Sequence, residues 1–205
     1  DAGDAGGIAA ARFQCAQVAL DRGDVKAATA DAGQARTGAT PLGDSITLGN
    51  VDVLLAQIAV GQGDCNSAIS HLQDAVKTFV AGEMITGEAT AQAKLAVCYQ
   101  TLRRDAERDR ALARARQLRT RITEHQEVFS VDIALAQLSG ETGQEAAAVA
   151  TLRDLIADAD KRQWLAWSLE SRLVLTRLLE RRHDPSAGAL RNALEKDARS
   201  HGFGW

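Results

Sequence analysis

Four kinds of side chain in this sequence carry chemistry by type: three cysteines, four histidines, a cluster of aspartates and a dense run of arginines. Cys15, Cys65 and Cys98 are odd in number and lack C-x-x-C spacing. They define neither a disulfide framework nor a zinc site, and buried free thiols are the expectation. They leave the compartment, cytoplasm or periplasm, open. His71, His125, His183 and His201 are scattered, with no i, i+4 pair and no H-E-x-x-H, so no metal ligands are assigned. Asp154, Asp158 and Asp160 lack the central Gly and closing Glu of a calcium loop and read as a solvated helix face. No G-x-x-x-x-G-K-[S/T] occurs, and no G-x-G-x-x-G opens a helix after a strand, so no nucleotide or other cofactor is expected. The sequence therefore nominates no catalytic residue, and an enzyme is not the reading it supports.

Two charged features need a structural explanation. Arg22-Gly23-Asp24 spells an adhesion tripeptide, but Gly63-Asp64 recurs 40 residues on without that context, so a helix–helix turn accounts for both. From Arg103 to Arg121 eight arginines stand against Asp105, Glu107 and Asp109, a local excess of 8 − 3 = +5. This run reads as an exposed helix face laced by i, i+3 pairs such as Asp105 with Arg108 and Glu107 with Arg110, with a docking patch for an acidic partner as the alternative.

The elements that position these residues emerge from a repeat. The 205-residue chain has two prolines and few aromatic residues, a balance suited to closely packed Ala-rich helices. Turn cues recur at Gly23-Asp24, Gly63-Asp64, Arg103-Arg104, Gly143-Gln144 and His183-Asp184, stepping by 40. Eight positions before each turn stand Cys15, Leu55, Leu95, Leu135 and Leu175, followed by Ala16, Ala56, Ala96, Ala136 and Thr176. After the turn come Ala28, Ala68, Arg108, Ala148 and Gly188, then Ala32, Leu72, Leu112, Leu152 and Asn192, then Ala35, Ala75, Ala115, Leu155 and Glu195. Small residues that let one helix approach the next, alternating with Leu, imply two antiparallel helices per repeat. Asp184-Pro185 is expected to open a helix, and Gly38 to Gly43 with Pro41 to be a loop.

The expectation is an all-α, α-α superhelix of about five antiparallel helix pairs in one domain over 1–205, with repeats at about 5–40, 44–82, 85–123, 124–160 and 163–200. The chain begins at Asp1 and reads as a piece of a longer or processed protein. Leu95-Ala96, Tyr99, Leu112 and Ala115, and again Leu55-Ala56, Gly63-Asp64, Ala68, Leu72 and Ala75, resemble the tetratricopeptide-repeat pattern in a long, 40-residue variant. Such long repeats look like those of bacterial signalling proteins. The closing segment from Leu194 to Trp205 is similar to the end of repeat regions attached to bacterial serine/threonine kinases and winged-helix transcriptional regulators, which implies an output or sensor part of a larger regulator.

In stacked helical repeats the first helices line the concave face, so residues 40 apart there form ladders. One ladder is Phe13, Val53, Ala93, Ile133 and Leu173; another is Gln17, Gln57, Val97, Gln137 and Arg177. An apolar row beside a carboxamide row suits an extended peptide, whose backbone the carboxamides bond while the apolar row takes side chains. Phe13, Gln17, Asn50, Val53, Gln57, Val97, Gln100, Gln137 and Arg177 are the expected partner-binding set, with packing or simple solvation of these residues as the other reading. The function expected is a non-catalytic protein or peptide interaction module, the alternative a sensor holding a small molecule in a closed pocket between repeats. A net charge of −3 argues against nucleic acid as partner. No run approaches 18 apolar residues, so no membrane insertion is expected.

Overall fold

A computed structural model describes residues 2–124, 126 and 128–204, with side chains from residue 5 onward; His125, Glu127 and Trp205 lie outside the described residues. Ten α-helices follow one another among these residues: α1 (Ala2–Asp21), α2 (Val25–Ala39), α3 (Ser45–Gly61), α4 (Cys65–Ala81), α5 (Ile85–Thr101), α6 (Asp105–Arg119), α7 (Phe129–Glu141), α8 (Glu145–Lys161), α9 (Leu165–Arg181) and α10 (Ala187–Ser200). The chain is an α-α solenoid of helix pairs. It divides into two compact units, one through Ile122 and a second from Thr123.

Backbone geometry repeats with the same 40-residue step as the side-chain columns. Left-handed φ angles occur at Gly23, Gly63, Arg103, Gly143 and His183, between the two helices of each pair. A second series at Gly43, Glu83 and Gln163 lies between pairs. At each of the first five, the amide of the next residue reaches back to a carbonyl five residues earlier: Asp24 to Ala19, Asp64 to Ala59, Arg104 to Tyr99, Gln144 to Ser139 and Asp184 to Leu179, at 2.9–3.0 Å. This is the Schellman closure, which satisfies orphan carbonyls and requires a left-handed residue just past the helix. Asp24, Asp44 and Asp64 then cap the following helices, accepting from the amides of Ala27, Thr47 and Ser67. Helix end, turn and helix start are thus set within five residues.

Two local expectations shift. The segment around Pro41 is a 3-10 turn, Thr40–Leu42, tight against the end of α2. Helix α10 opens at Ala187, with Asp184 accepting from both the amide and the hydroxyl of Ser186 to shape the turn before it.

In the first unit α1, α3 and α5 form one layer, α1 touching α3 and α3 touching α5, and each packs against the second helix of its own pair. The seam between layers is the small column: Ala16, Ala28, Ala32, Ala35, Ala56, Ala68, Ala75, Ala96 and Ala115 are buried. Phe79 of α4 is wedged between glycines on two helices, because a Cβ at Gly87 would stand 2.6 Å from its ring and one at Gly49 would also strike it. Asp52, buried on α3, accepts from Arg36 of α2 and lies 3.3 Å from His71 Nδ1 of α4, so one carboxylate joins three helices. Glu88 of α5 accepts from Arg114 of α6 at 2.7 Å and joins those two helices.

In the second unit Phe129 is the centre of the core, with Trp164 edge-on at 5.4 Å and Trp167 at 6.2 Å, among Ile133, Leu152, Leu175 and Leu179. Arg172 of α9 ties the end of α8 to α10 through Asp160 at 2.9 Å and Asp197 at 2.8 Å. Helix α7 begins at Phe129, later than the 40-residue register implies.

Candidate interaction surface

The outward face of α1, α3 and α5 is defined by five positions per helix at helical spacing: 6, 10, 13, 17 and 20 on α1, and the same positions 40 and 80 residues on. They hold Gly6, Ala10, Phe13, Gln17 and Leu20; Ile46, Asn50, Val53, Gln57 and Val60; Thr86, Thr90, Ala93, Val97 and Gln100. Five positions on three helices make fifteen, and none is charged, in a chain that is 25% charged overall. All but Ala93 keep some contact with solvent. Ile46 is 59% exposed and Val60 44%, unusual for aliphatic side chains on helices with a packed opposite face.

All seven first-unit residues nominated from sequence fall on this face: Phe13, Gln17, Asn50, Val53, Gln57, Val97 and Gln100 are each half-buried. Their chemistry differs. Phe13 leans on the core of Ala16, Val51 and Leu54, so its ring does packing work as well. Gln17 donates to Asp21 one turn on, at 3.1 Å. Burial pushes the Asp21 carboxyl above its ordinary value, and the Gln17 bond pulls it back in part. Gln100 accepts from Arg108 at 2.7 Å. Asn50 and Gln57 make no side-chain hydrogen bond within the described residues and keep both donor and acceptor for a ligand. Gln57 has no acidic neighbour one turn on because Gly61 stands there.

Gln137 and Arg177 belong to the second unit. Gln137 repeats the bond of Gln17, donating to Glu141 at 3.0 Å, and Arg181 holds Glu141 from α9 at 2.8 Å. Arg177 is exposed on α9, where Glu170 and Glu180 occupy positions of the same face. On α9, then, the corresponding positions carry charge. Ile46, Leu20 and Val60 were not among the sequence-nominated residues, although extending the two ladders by one helical turn reaches Leu20 and Val60, and by two turns Ile46.

The remaining candidate residues resolve into structural roles. Arg108 bonds Asp105 at 2.6 Å as the spacing implies, but Glu107 pairs with Arg104 at 2.7 Å in place of Arg110. Arg104 also lies over the buried Tyr99 ring at 4.8 Å. Asp158 pairs with Arg162, and Asp160 with Ser168 and Arg172. Cys98 is buried and Cys65 half-buried, but Cys15 is exposed, contrary to the expectation for all three. In the same column Leu55 packs against the cluster that holds Ala16, Ala32 and Ala35 of the preceding pair, and α1 has no pair before it among the described residues. Among those residues no three His, Cys, Asp or Glu side chains converge on a metal-sized site, and no helix is long and apolar enough to cross a membrane. A shallow, open depression beside the end of α8 is lined by Ala159, Asp160, Gln163, Trp164, Leu165 and His201.

No family model matches the chain, and no curated protein matches it in sequence. Among solved structures, the nearly identical TPR-like repeats of a kinesin light chain-like protein from Podosopora anserina superpose with a TM-score of 0.51, at 17% identity over 93% of this chain and 95% of that one. A Q17M form of these repeats gives 0.53 at 18% identity over 93% and 94%. At such identity the likeness is one of fold: the chain has a tetratricopeptide-like fold.

Proposed function

We propose that this chain is a non-catalytic interaction module and that the uncharged face of α1, α3 and α5 receives an extended, largely uncharged segment of a protein partner. One observation carries the reading: fourteen solvent-contacting positions on three adjacent helices without a charge, on a chain with 51 charged residues (24 basic plus 27 acidic). A merely solvated helix face tends toward Lys, Glu and Arg, and a face that receives another backbone does not. Asn50 and Gln57 offer free carboxamides to a peptide backbone, while Ile46, Val53 and Val60 offer apolar contact on the same helix. The tetratricopeptide-like fold supports a protein as partner. The resemblance of 194–205 to the ends of bacterial regulator repeat regions supports a place within a larger signalling protein.

A random peptide library displayed on phage, selected on the protein, tests the assignment. The selected peptides are expected to be poor in charge and to lose at least about tenfold in affinity, about 1.4 kcal/mol, against Asn50→Ala with Gln57→Ala and against Val60→Glu, with helicity unchanged in both variants. Peptides that bind parent and variants equally would remove this face from the site.

A further inference from the structure

Helices α4 and α5 pack antiparallel across the joint between the second and third pairs, so the first residue of α4 meets the last turn of α5. Both positions are cysteines: Cys65 opens α4, and Cys98 stands three residues before the end of α5. Their thiols are close enough to interact, and both cysteines are free. Cys65 is half-buried and reachable from solvent, while Cys98 is 2% exposed. Neither position of the pair recurs as cysteine in another repeat, where residues 25, 105 and 145 are Val, Asp and Glu, and 58 and 138 are Ile and Leu. The juxtaposition is therefore peculiar to this joint.

We propose that Cys65 and Cys98 are a modification site: an oxidisable dithiol that closes to an intramolecular disulfide when the protein meets a hydroperoxide. Cys65, the accessible thiol, attacks the peroxide; the O–O bond breaks, Cys65 becomes a sulfenic acid and an alcohol or water departs. The Cys98 sulfur then attacks the Cys65 sulfur, the S–O bond breaks, and the departing hydroxide leaves as water with the Cys98 proton. Two thiols and one hydroperoxide give one disulfide, one alcohol and one water. Burial, with the neighbouring Cys65 adding to it, pushes the Cys98 thiol up to about 12, which keeps Cys98 protonated and leaves the attack on peroxide to Cys65. The packing of α4 on α5 makes the two thiols neighbours, and the bond forms when the sulfurs close to about 2.05 Å.

The test uses the full chain carrying Cys15→Ser, which removes the exposed thiol. Folded protein is treated with hydrogen peroxide, unfolded, alkylated and weighed intact. The expected product is monomeric, lighter by two hydrogen atoms, without alkylatable thiols, and yields a joined peptide containing Cys65 and Cys98 that dithiothreitol separates. Cys65→Ser and Cys98→Ala on the same background should each give no such bond. The proposal is overturned if both thiols stay alkylatable at a peroxide dose that consumes the Cys15 thiol of the parent. It is equally overturned if Cys65 runs on to sulfinic acid with Cys98 intact, or if the bond forms only when oxidation is done in denaturant.

Discussion

Asp44 shows how a single side chain acts here. Its carboxylate accepts from the Thr47 amide at 3.1 Å and the Thr47 hydroxyl at 2.6 Å, and these bonds hold its carboxyl below the ordinary value. A depressed carboxyl contributes stability that is present above the unfolded value and is lost as pH falls through the folded one. Asp44→Ala should therefore cost about 1 kcal/mol at pH 7, and the gap from parent should narrow as pH falls below the ordinary carboxylate range. Urea midpoints at the two ends of that range check it. Asp52 runs the other way: burial foremost raises its carboxyl, against the pull of Arg36 and His71, so its contribution is complete at low pH and declines as pH rises through the folded value. Capping residues such as Asp24, Asp44 and Asp64 are legible in sequence because they act within three residues of themselves. The partners of Asp52, 16 and 19 residues away on different helices, follow only from packing.

At the scale of the element, the turns were the most readable part of the chain, and glycine was only half of the signal. Gly23, Gly63 and Gly143 fit their left-handed φ without cost, but Arg103 and His183 hold φ of 56° and 53° with a Cβ in place. The register at those two positions was carried by the columns around them, Leu95-Ala96 and Leu175-Thr176, and not by residue type. Arg103→Gly should relieve the strained conformation for a net gain of about 0.5–1 kcal/mol after the added freedom of the unfolded chain is counted. Gly63→Ala should lose about 1 kcal/mol by the same argument. Chemical denaturation of the two variants decides both signs. The Phe79 wedge gives a sharper case. Gly87→Ala should destabilise by about 1–3 kcal/mol through overpacking against the ring, and Phe79→Leu introduced beside it should recover part of the loss. The start of α7 at Phe129 was not visible in the columns, since Val128 and Phe129 keep the apolar register. In the fifth pair Asn192 and Glu195 are exposed where earlier repeats bury or half-bury Leu and Ala, which explains why the pattern fades there.

On the scale of the whole molecule, five helix pairs repeat one local solution, each turn closed by the same backbone bond, and the solenoid follows from that repetition. The surface that distinguishes the chain is the uncharged face of α1, α3 and α5. Its apolar and carboxamide ladders could be read from residues 40 apart; its extent could not, because only the packing of second helices on the opposite side shows which neighbouring positions remain in contact with solvent. The absence of charge on that face also fixes how a partner arrives. Attraction at distances of a Debye length needs fixed charge at the contact, and here there is none to steer an approach. Association with a peptide seated on this face should proceed at an unsteered rate, on the order of 10⁵–10⁶ M⁻¹s⁻¹, and stopped-flow traces at low and high salt should superpose. Tightness would then be decided by how long the complex persists, and a change such as Gln57→Ala should speed departure while leaving arrival as it was.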